Sequence, residues 1–220
     1  MERGKKAILG IDIGGSKIRF LYGGKFKEFS TPKTKRGFID LIKKFPRADK
    51  VGISVAGVVN GTRVKISPNI KYLKNFDFRK IFKRVKVDND ARCFLRAEIR
   101  WLSHYLVAKP PSKIFGITIG TGIGRAFSGK KIKSFEYPER WEKEYQKIRD
   151  SKDDQKLARY LGVRLNLIIK KYRSNSVILG GGVLGRKGFF EMLKKRLSVE
   201  AIKARFGIRA GAIGAAMLWN

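Results

Sequence analysis

Three glycine clusters are the residues of this chain whose types and spacing could do chemistry. They are Gly14-Gly15-Ser16-Lys17, Gly120-Thr121-Gly122-Ile123-Gly124 and Gly180-Gly181-Gly182, and each follows an apolar, strand-like segment. Glycine lets the backbone turn tightly and lets N–H groups approach phosphate oxygens with no side chain in between. Taken alone, each cluster is more typical of an ordinary turn, so an assignment to phosphate binding needs further support.

Two carboxylates could take part in such chemistry. Asp12 interrupts the apolar segment AILGIDI, where a buried carboxylate needs a partner, and either a turn or a metal could supply one. Asp90 follows Asn89 and precedes an amphipathic helix expected from about residue 91 to 107. From the residues alone, an N-cap of that helix is the favoured role for Asp90, and a general base is the alternative.

Two named phosphate-binding motifs can be tested and do not fit. Residues 10–17 (GIDIGGSK) resemble a P-loop, but that motif places lysine directly after the last glycine and before Ser or Thr. Residues 180–185 match G-x-G-x-x-G after a strand, yet only 35 residues follow, too few for the long βαβαβ unit of a dinucleotide fold. Neither motif explains the glycine clusters.

The elements that must position these residues occur twice. Strands are expected at 7–13, 17–22 and 50–55, and the segment FDFRKIFKRV is predicted to be a helix. The sequence IFGITIG restarts the order strand, glycine turn, hairpin after Lys109-Pro110-Pro111, the best boundary in the chain. We therefore predict a duplicated α/β fold with a cleft between two lobes. The N-terminal lobe would be 1–108, completed by a helix at 208–220, and the C-terminal lobe 109–207.

Composition excludes several classes of protein. The 220 residues are 43% hydrophobic and 11% aromatic, which excludes a disordered chain, and no apolar run is long enough to cross a membrane. One cysteine, Cys93, and one histidine, His104, exclude a disulfide framework and a zinc site built from cysteines, so we expect no zinc. Residues 1–6 have no apolar signal region, and we expect a cytoplasmic protein.

The net charge is strongly positive. Lys and Arg number 51 against 18 Asp and Glu, a formal charge of +33. Residues 1–108 contain 26 basic and 9 acidic residues and residues 109–220 contain 25 and 9, so the excess is not a tail. Such a field attracts polyanions, including nucleic acid. The positive charges are not concentrated in any part of the sequence. The favoured explanation is therefore that the proteins of the source organism are basic in general.

Five ordered segments together resemble one family. IDIGGSK, ITIGTGIG and VILGGGV are similar to the two phosphate loops and the adenosine loop of the actin-like ATPase and sugar kinase superfamily. GISVAGVVNGTRVKISPNI and FDFRKIFKRVKVDNDARCFLRAE, with its Asn-Asp-Ala, resemble segments of the ROK family (repressors, open reading frames and sugar kinases). The resemblance covers residues 7–127 and 155–218. It implies the two-lobed, duplicated ribonuclease H-like fold of actin-like ATPases, with a central cleft.

The resemblance assigns roles to individual residues. Asp12 would hold Mg²⁺ through water beside the phosphates of ATP, and Asp90 would be the general base that accepts the acceptor's hydroxyl proton. Asn89 would donate to or accept from a substrate hydroxyl, and Gly57 and Asn69 would lie near the sugar. The nucleotide would contact Gly14, Gly15, Ser16 and Lys17 in the first hairpin, Gly120, Thr121 and Gly122 in the second, and Gly181 and Gly182 beside adenosine. The base and cap roles of Asp90 can coexist.

One segment departs from the family pattern. A Glu-x-x-His pair, a cysteine-rich zinc loop and a further sugar-binding Glu normally follow GTGIG, and this chain has SGKKIKSFEYPERWEKEYQKIRDSKDD instead. Glu136 or Glu139 could replace a lost carboxylate, although a solvated helix charge is the favoured interpretation.

The expected function is ATP- and Mg²⁺-dependent phosphorylation of a hydroxyl on a sugar or sugar-like molecule. One alternative is a non-catalytic nucleotide- or sugar-binding protein, since the family includes repressors; their N-terminal helix-turn-helix is not expected here, because the first strand begins by residue 7. A polyanion-binding or nucleic-acid-binding protein is the other. A homodimer is left open, and no membrane partner is expected.

Overall fold

Residues 8–45, 48–105, 113–129, 131–135 and 139–220 are described by a computed structural model of the chain. The chain divides into a first unit, Met1–Ala97 with Arg209–Asn220, and a second unit, Glu98–Ile208. The predicted boundary at Lys109-Pro110-Pro111 lies outside the described residues. Across those residues, none of the helices has the length and apolar character needed to span a bilayer.

The first unit contains a five-stranded sheet and a smaller three-stranded one. Its strands are β1 (Leu9–Ile13), β2 (Lys17–Tyr22), β3 (Lys25–Ser30), β4 (Val51–Val55), β5 (Val58–Asn60), β6 (Arg63–Ile66), β7 (Phe76–Asp77) and β8 (Val85–Asn89). The larger sheet has the order β3-β2-β1-β4-β8, and the smaller has the order β5-β6-β7. In the larger sheet β1, β4 and β8 are parallel, and β2 and β3 are antiparallel.

Burial explains which strands lie at the centre. Every residue of β4 is buried, and its sequence VGISV is a continuous small and apolar run, as expected for a parallel strand covered on both faces. By contrast, β3 lies at the edge of the sheet and is mostly exposed, with Lys25, Lys27 and Glu28 along it. Charges on an edge strand oppose pairing with another chain.

The second unit contains another five-stranded sheet. Its strands are β9 (Ile114–Ile119), β10 (Ile123–Phe127), β11 (Lys133–Ser134), β12 (Ser176–Gly180) and β13 (Glu200–Lys203), in the order β11-β10-β9-β12-β13. Both large sheets follow one plan. The first strand is central, an antiparallel pair lies on one side of it, and two parallel strands lie on the other. The repeat of strand, glycine turn and hairpin that the sequence predicts is therefore present in both units.

The α-helices of the described residues are α1 (Lys35–Lys43), α2 (Asp90–Tyr105), α3 (Glu142–Asp150), α4 (Asp154–Tyr172), α5 (Phe189–Lys194) and α6 (Ala210–Ala216). Helix α4 begins after Asp153, whose side chain accepts the N–H of Lys156 at 2.9 Å. It buries a leucine stripe, including Leu157, Leu161 and Leu165, in the core of the second unit.

Helix α6 packs unusually close to the first sheet. Gly10 and Gly52 are opposite each other on β1 and β4. A Cβ at Gly52 would collide with the carbonyl of Ala215, and one at Gly10 would collide with the carbonyl of Ala212. The small residues of both partners thus let the helix backbone rest on the strands.

The predicted helix at FDFRKIFKRV is wrong. The structure instead has β7, a 3₁₀ turn at Phe78–Lys80, and then β8. The carboxylate of Asp77 accepts the N–H of Arg79 at 3.0 Å and the hydroxyl of Thr62 at 2.8 Å, which supports the turn. Phe76 and Phe78 are buried in the first unit's core, so tertiary packing overrides the helical pattern.

Candidate active site

Asp12, near the carboxyl end of β1, has a partner at each carboxylate oxygen. Its Oδ1 accepts the hydroxyl of Ser54 at 2.7 Å, and its Oδ2 accepts a guanidinium N–H of Arg19 at 3.2 Å. Sheet register causes both contacts, because Asp12 is opposite Arg19 on β2 and opposite Ser54 on β4. Burial raises the pKa of Asp12, and the hydrogen bond from Ser54 and the charge of Arg19 offset part of that rise.

The start of α6 covers this carboxylate. A side chain at Gly211 would collide with the carboxyl group of Asp12. Each Asp12 oxygen uses one lone pair inside the protein and keeps another. The site therefore offers a fixed, half-buried carboxylate beside the first glycine hairpin.

That hairpin joins β1 to β2 and is braced by Thr31. The N–H of Gly14 donates to the carbonyl of Lys17 at 2.9 Å, which closes the turn. The Thr31 hydroxyl donates to the carbonyl of Gly14 at 2.7 Å, and the Thr31 N–H donates to the carbonyl of Ser16 at 3.0 Å. Residues 15–17 are exposed, so the outer face of the turn is open.

Asn69 and Gly57 lie close to this end of the sheet. The side chain of Asn69 packs against Gly15, where an added Cβ would come 2.8 Å from the Asn69 Cβ. The carbonyl of Gly57 accepts the Nδ2 of Asn89 at 3.0 Å. Contacts therefore join Asn69 to the first hairpin and Gly57 to the end of β8.

Asn89 is the N-cap of α2. Its Oδ1 accepts the N–H of Ala91 at 2.9 Å and that of Arg92 at 3.3 Å, the second and third residues of the helix. Asn89 is only 4% exposed. The capping role that the residue pattern favours for Asp90 is therefore performed by its neighbour. One N–H of the Asn89 amide is left for a further acceptor.

Asp90 is the first residue of α2, and its carboxylate is perturbed. Its Oδ1 accepts the N–H of Ala91 at 2.9 Å. Burial raises the pKa of Asp90 to about 6, and the negative charge of Asp12 contributes to the rise. A carboxylate with this pKa is ionised at neutral pH and still basic enough to accept a proton in a transition state.

A third carboxylate in the row is neutralised. Asp88 is opposite Ser54, which is in turn opposite Asp12, so the three lie in line across the parallel strands. Asp88 forms ion pairs with Arg92 and, at 2.6 Å, with Arg96. Asp12 has one arginine partner and Asp88 has two. Of Asp12, Asp88 and Asp90, Asp90 therefore has the carboxylate with the least contact to cations.

In the second unit, the glycine hairpin between β9 and β10 is held by side chains of α3. The Tyr145 hydroxyl donates to the carbonyl of Gly120 at 2.5 Å. Arg149 donates to that carbonyl at 3.0 Å and to the carbonyl of Thr121 at 2.5 Å. The Gly120 N–H donates to the carbonyl of Gly122 at 3.0 Å, and the space beside both glycines is open. The carbonyls are thus turned inward onto α3.

Gly181 lies next to this hairpin. Its φ is +100°, and a Cβ there would collide with the backbone of Ile119, the last residue of β9. Only glycine suits both conditions. Gly182, with open space at its α-carbon, begins the 3₁₀ helix Gly182–Gly185. The second and third glycine clusters of the sequence therefore adjoin one another.

A model of the ROK family matches residues 8–133, more than half of the chain. This chain belongs to the ROK family. Two N-acetyl-D-glucosamine kinases, from Aliivibrio salmonicida and Aliivibrio fischeri, are 28% and 27% identical to it over 151 residues. Those matches cover 58% of this chain and 49% and 48% of the kinases, so the chain spans about half the length of the curated relatives it matches.

Solved ROK structures have the same fold. The inorganic polyphosphate/ATP-glucomannokinase from Arthrobacter superposes with a TM-score of 0.80 at 22% identity, over 97% of this chain and 98% of that one. A ROK family glucokinase from Streptomyces griseus, solved with glucose and AMPPNP, has a TM-score of 0.74 at 20% identity, over 96% and 98%. The predicted family and the predicted actin-like α/β fold class are thereby confirmed.

The segment that departs from the ROK pattern, residues 128–154, contains β11 and α3. Glu139 precedes α3 and is exposed, and it forms an ion pair with Arg125 and accepts Trp141 Nε1 at 2.8 Å. Arg125 is fully buried and also pairs with Glu142 at 3.0 Å. Glu136 lies outside the described residues. Glu139 therefore has a structural partner already.

Several residues of the candidate site are not indicated by the sequence patterns. Arg19 and Ser54, which hold Asp12, could have been found from the register of the β1–β2 hairpin and of β4. Tyr145 and Arg149 could not, because α3 meets the glycine hairpin through contacts 25 to 29 residues apart in the chain. Nothing in the charged sequence of α3 distinguishes these two residues from their neighbours.

Proposed function

We propose that this ROK protein transfers a phosphoryl group from ATP to a hydroxyl of a sugar or sugar-like small molecule. The proposal rests on Asp90, a carboxylate with a pKa raised to about 6. It lies at the carboxyl ends of the parallel strands, where Asp12 and the first glycine hairpin also lie. The curated relatives and several similar structures are named as sugar kinases, which supports the same chemistry.

Asp90 is the group that receives the proton. The acceptor hydroxyl oxygen bonds to the γ-phosphorus of ATP, the bond from that phosphorus to the bridging oxygen breaks, and ADP leaves. The hydroxyl proton passes to Asp90, whose Oδ1 keeps its hydrogen bond to Ala91. The remaining N–H of Asn89 orients the acceptor, and Asn69 and Gly57 border the same space.

The glycine hairpins bind the phosphates in this proposal. Gly14 closes the first hairpin, where Gly15, Ser16 and Lys17 present exposed backbone and one ammonium group. Gly120, Thr121 and Gly122 form the second hairpin, in which α3 holds the carbonyls of Gly120 and Thr121. Turning carbonyls away from a loop leaves for an anion those N–H groups that no other carbonyl accepts, which excludes the N–H groups of Gly14 and Gly120. Gly181 and Gly182, beside the second hairpin, border the adenosine.

The donor set at Asp12 fits a hydrated magnesium ion. It consists of carboxylate oxygens that retain lone pairs, and Mg²⁺ keeps several waters and binds proteins through few carboxylates. Bound magnesium would neutralise phosphate charge. Arg19 and Ser54 keep the Asp12 carboxylate in place for it.

The main alternative is a ROK protein that binds nucleotide or sugar without turnover. Titration calorimetry with Mg-ATP, followed by a coupled assay of ADP release against a panel of sugars and polyols, separates the two. We expect the protein to bind Mg-ATP and to release ADP with at least one acceptor. Mass spectrometry then identifies the phosphorylated product. Folded protein that binds no adenine nucleotide would overturn the proposal, and binding without turnover on any acceptor would favour the alternative. A cytoplasmic location, a homodimer and the lack of zinc stay predictions.

A further inference from the structure

Three cations from two segments of the first unit converge on one indole ring. The ammonium groups of Lys86 and Lys50 lie 4.6 and 5.5 Å from the ring centroid of Trp219, and the guanidinium of Arg84 lies 5.6 Å from it. We call Lys50, Arg84, Lys86 and Trp219 the tryptophan cluster. The sequence shows no focus of positive charge, so this focus is created by the fold.

The tryptophan cluster is fixed in place by hydrogen bonds to the sheet. Trp219 Nε1 donates to the carbonyl of Val51 at 2.9 Å, and Lys86 Nζ donates to the carbonyl of Leu218 at 2.8 Å. The carbonyls of Lys50 and Arg84 accept the N–H groups of Leu9 and Val51, each at 3.0 Å. These bonds hold Trp219, the Lys86 side chain and the main chain of Lys50 and Arg84 at this end of the sheet.

No carboxylate neutralises these cations within the ranges the structure describes, since none of the three forms an ion pair there. Arg84 and Lys86 are exposed, and Lys50 is half-buried. Like charges held around one ring repel each other, and the ring's attraction of about 0.5–1 kcal/mol per exposed cation offsets this only in part. An anion bound between the cations would remove the repulsion.

The tryptophan cluster lies far from the proposed site within the same sheet. Lys50 and Arg84 immediately precede β4 and β8, so they lie at the amino ends of those parallel strands. Asp12 and Asp90 lie at the carboxyl ends, and a five-residue strand spans about 16 Å. A ligand at the cluster would therefore leave the proposed phosphotransfer site open.

We propose that the tryptophan cluster binds the phosphodiester backbone of a nucleic acid. Lys and Arg presented together are the usual contacts to backbone phosphates, and a net charge of +33 draws polyanions toward the surface. A membrane surface fits less well, because binding in the interface needs an apolar face to insert. Here the one large apolar group, Trp219, is covered by cations and tied to Val51.

Fluorescence anisotropy with a short labelled single-stranded RNA, measured at several salt concentrations, tests this proposal. The test variant carries Lys50→Gln, Arg84→Gln and Lys86→Gln. A control removes the same charge from exposed lysines of the second unit by Lys170→Gln, Lys194→Gln and Lys195→Gln. We expect the test variant to bind RNA at least about tenfold more weakly and its slope of log K against log salt to fall by about 2, since each contact contributes about 0.7. The control should change both quantities much less.

Equal losses in the two variants would overturn the proposal, because they would show attraction to net charge alone. A Lys50→Gln, Arg84→Gln double variant keeps the Lys86 bond to Leu218 and serves if the triple variant is unstable. Inorganic polyphosphate and vesicles containing anionic lipid form two further arms. If the test variant loses binding to either of these but keeps its affinity for RNA, the partner is not a nucleic acid.

Discussion

The side-chain oxygen of Asn89 accepts the backbone N–H of Arg92 at 3.3 Å, so Asn89, and not Asp90, caps helix α2. The sequence leaves two roles open at Asp90, a helix cap and a general base. The structure assigns the cap to Asn89, while the Asp90 carboxylate accepts the N–H of Ala91 beside it. Substitutions at these two residues should therefore have different effects on stability and on turnover.

Replacing Asn89 should show how much its cap and its bond to Gly57 contribute to stability. Asn89→Ala loses the cap and the bond to Gly57 and should lower the free energy of unfolding by about 1–3 kcal/mol. Asn89→Ser keeps a capping oxygen and adds no charge but loses the donor to Gly57, so it should cost clearly less than alanine. Urea unfolding of both variants measures this. Equal stability of Asn89→Ala and the unsubstituted protein would contradict the assignment.

Replacing Asp90 should change stability in a pH-dependent way. The pKa of Asp90 is about 6 in the folded protein and near 3.8 in the unfolded chain, so the folded state binds the proton more tightly. Asp90 makes its full contribution to the free energy of unfolding below about pH 4, and that contribution is lost as the pH rises through 6. At pH 8, Asp90→Asn should therefore raise the free energy of unfolding by about 1–3 kcal/mol, which thermal unfolding detects as a higher melting temperature. The gain should be smaller at pH 4. A melting difference that is the same at both pH values would contradict this.

Much of this fold follows from local pattern. The glycine turns after β1, β9 and β12 and the apolar strands before them are visible in the sequence, and so is the repeat of the two sheets. The helix predicted at FDFRKIFKRV fails because burial of Phe76 and Phe78 is a tertiary effect that periodicity does not contain. The division of the cap and carboxylate roles between Asn89 and Asp90 depends on where α2 begins, within one residue. The contacts of Arg149 depend on α3 meeting a distant hairpin, which no local pattern encodes.

A side chain at Gly52 should disturb α6. Gly52→Ala would place a methyl group on the carbonyl of Ala215, and overpacking of this kind costs about 1–3 kcal/mol or more. Gly185→Ala, at a position with open space, is the matched control and should change stability by less than about 0.5 kcal/mol. Thermal unfolding compares them. A Gly52→Ala protein as stable as the control would show that α6 does not rest on β4.

Arg149 should support nucleotide binding through the second hairpin. Arg149→Met removes the hydrogen bonds to the carbonyls of Gly120 and Thr121, and we expect the Kd for Mg-ATP to rise about tenfold, equivalent to about 1.4 kcal/mol. Lys170→Met removes one positive charge from an exposed position of α4 and controls for net charge. Calorimetry on both variants gives the comparison. The same Kd in Arg149→Met and Lys170→Met would contradict a role for Arg149.

Asp90 accepts the proton of the acceptor hydroxyl in the proposed reaction. Acceptor-dependent ADP release by Asp90→Asn is the most direct test of this role. Asparagine keeps the oxygen that Ala91 donates to but is not a base, so turnover should fall about 10²–10⁴-fold while Mg-ATP still binds. Asp40→Asn, which changes an exposed carboxylate on α1, should keep full turnover. Full turnover by Asp90→Asn, on an acceptor that the unsubstituted protein phosphorylates, would contradict the account.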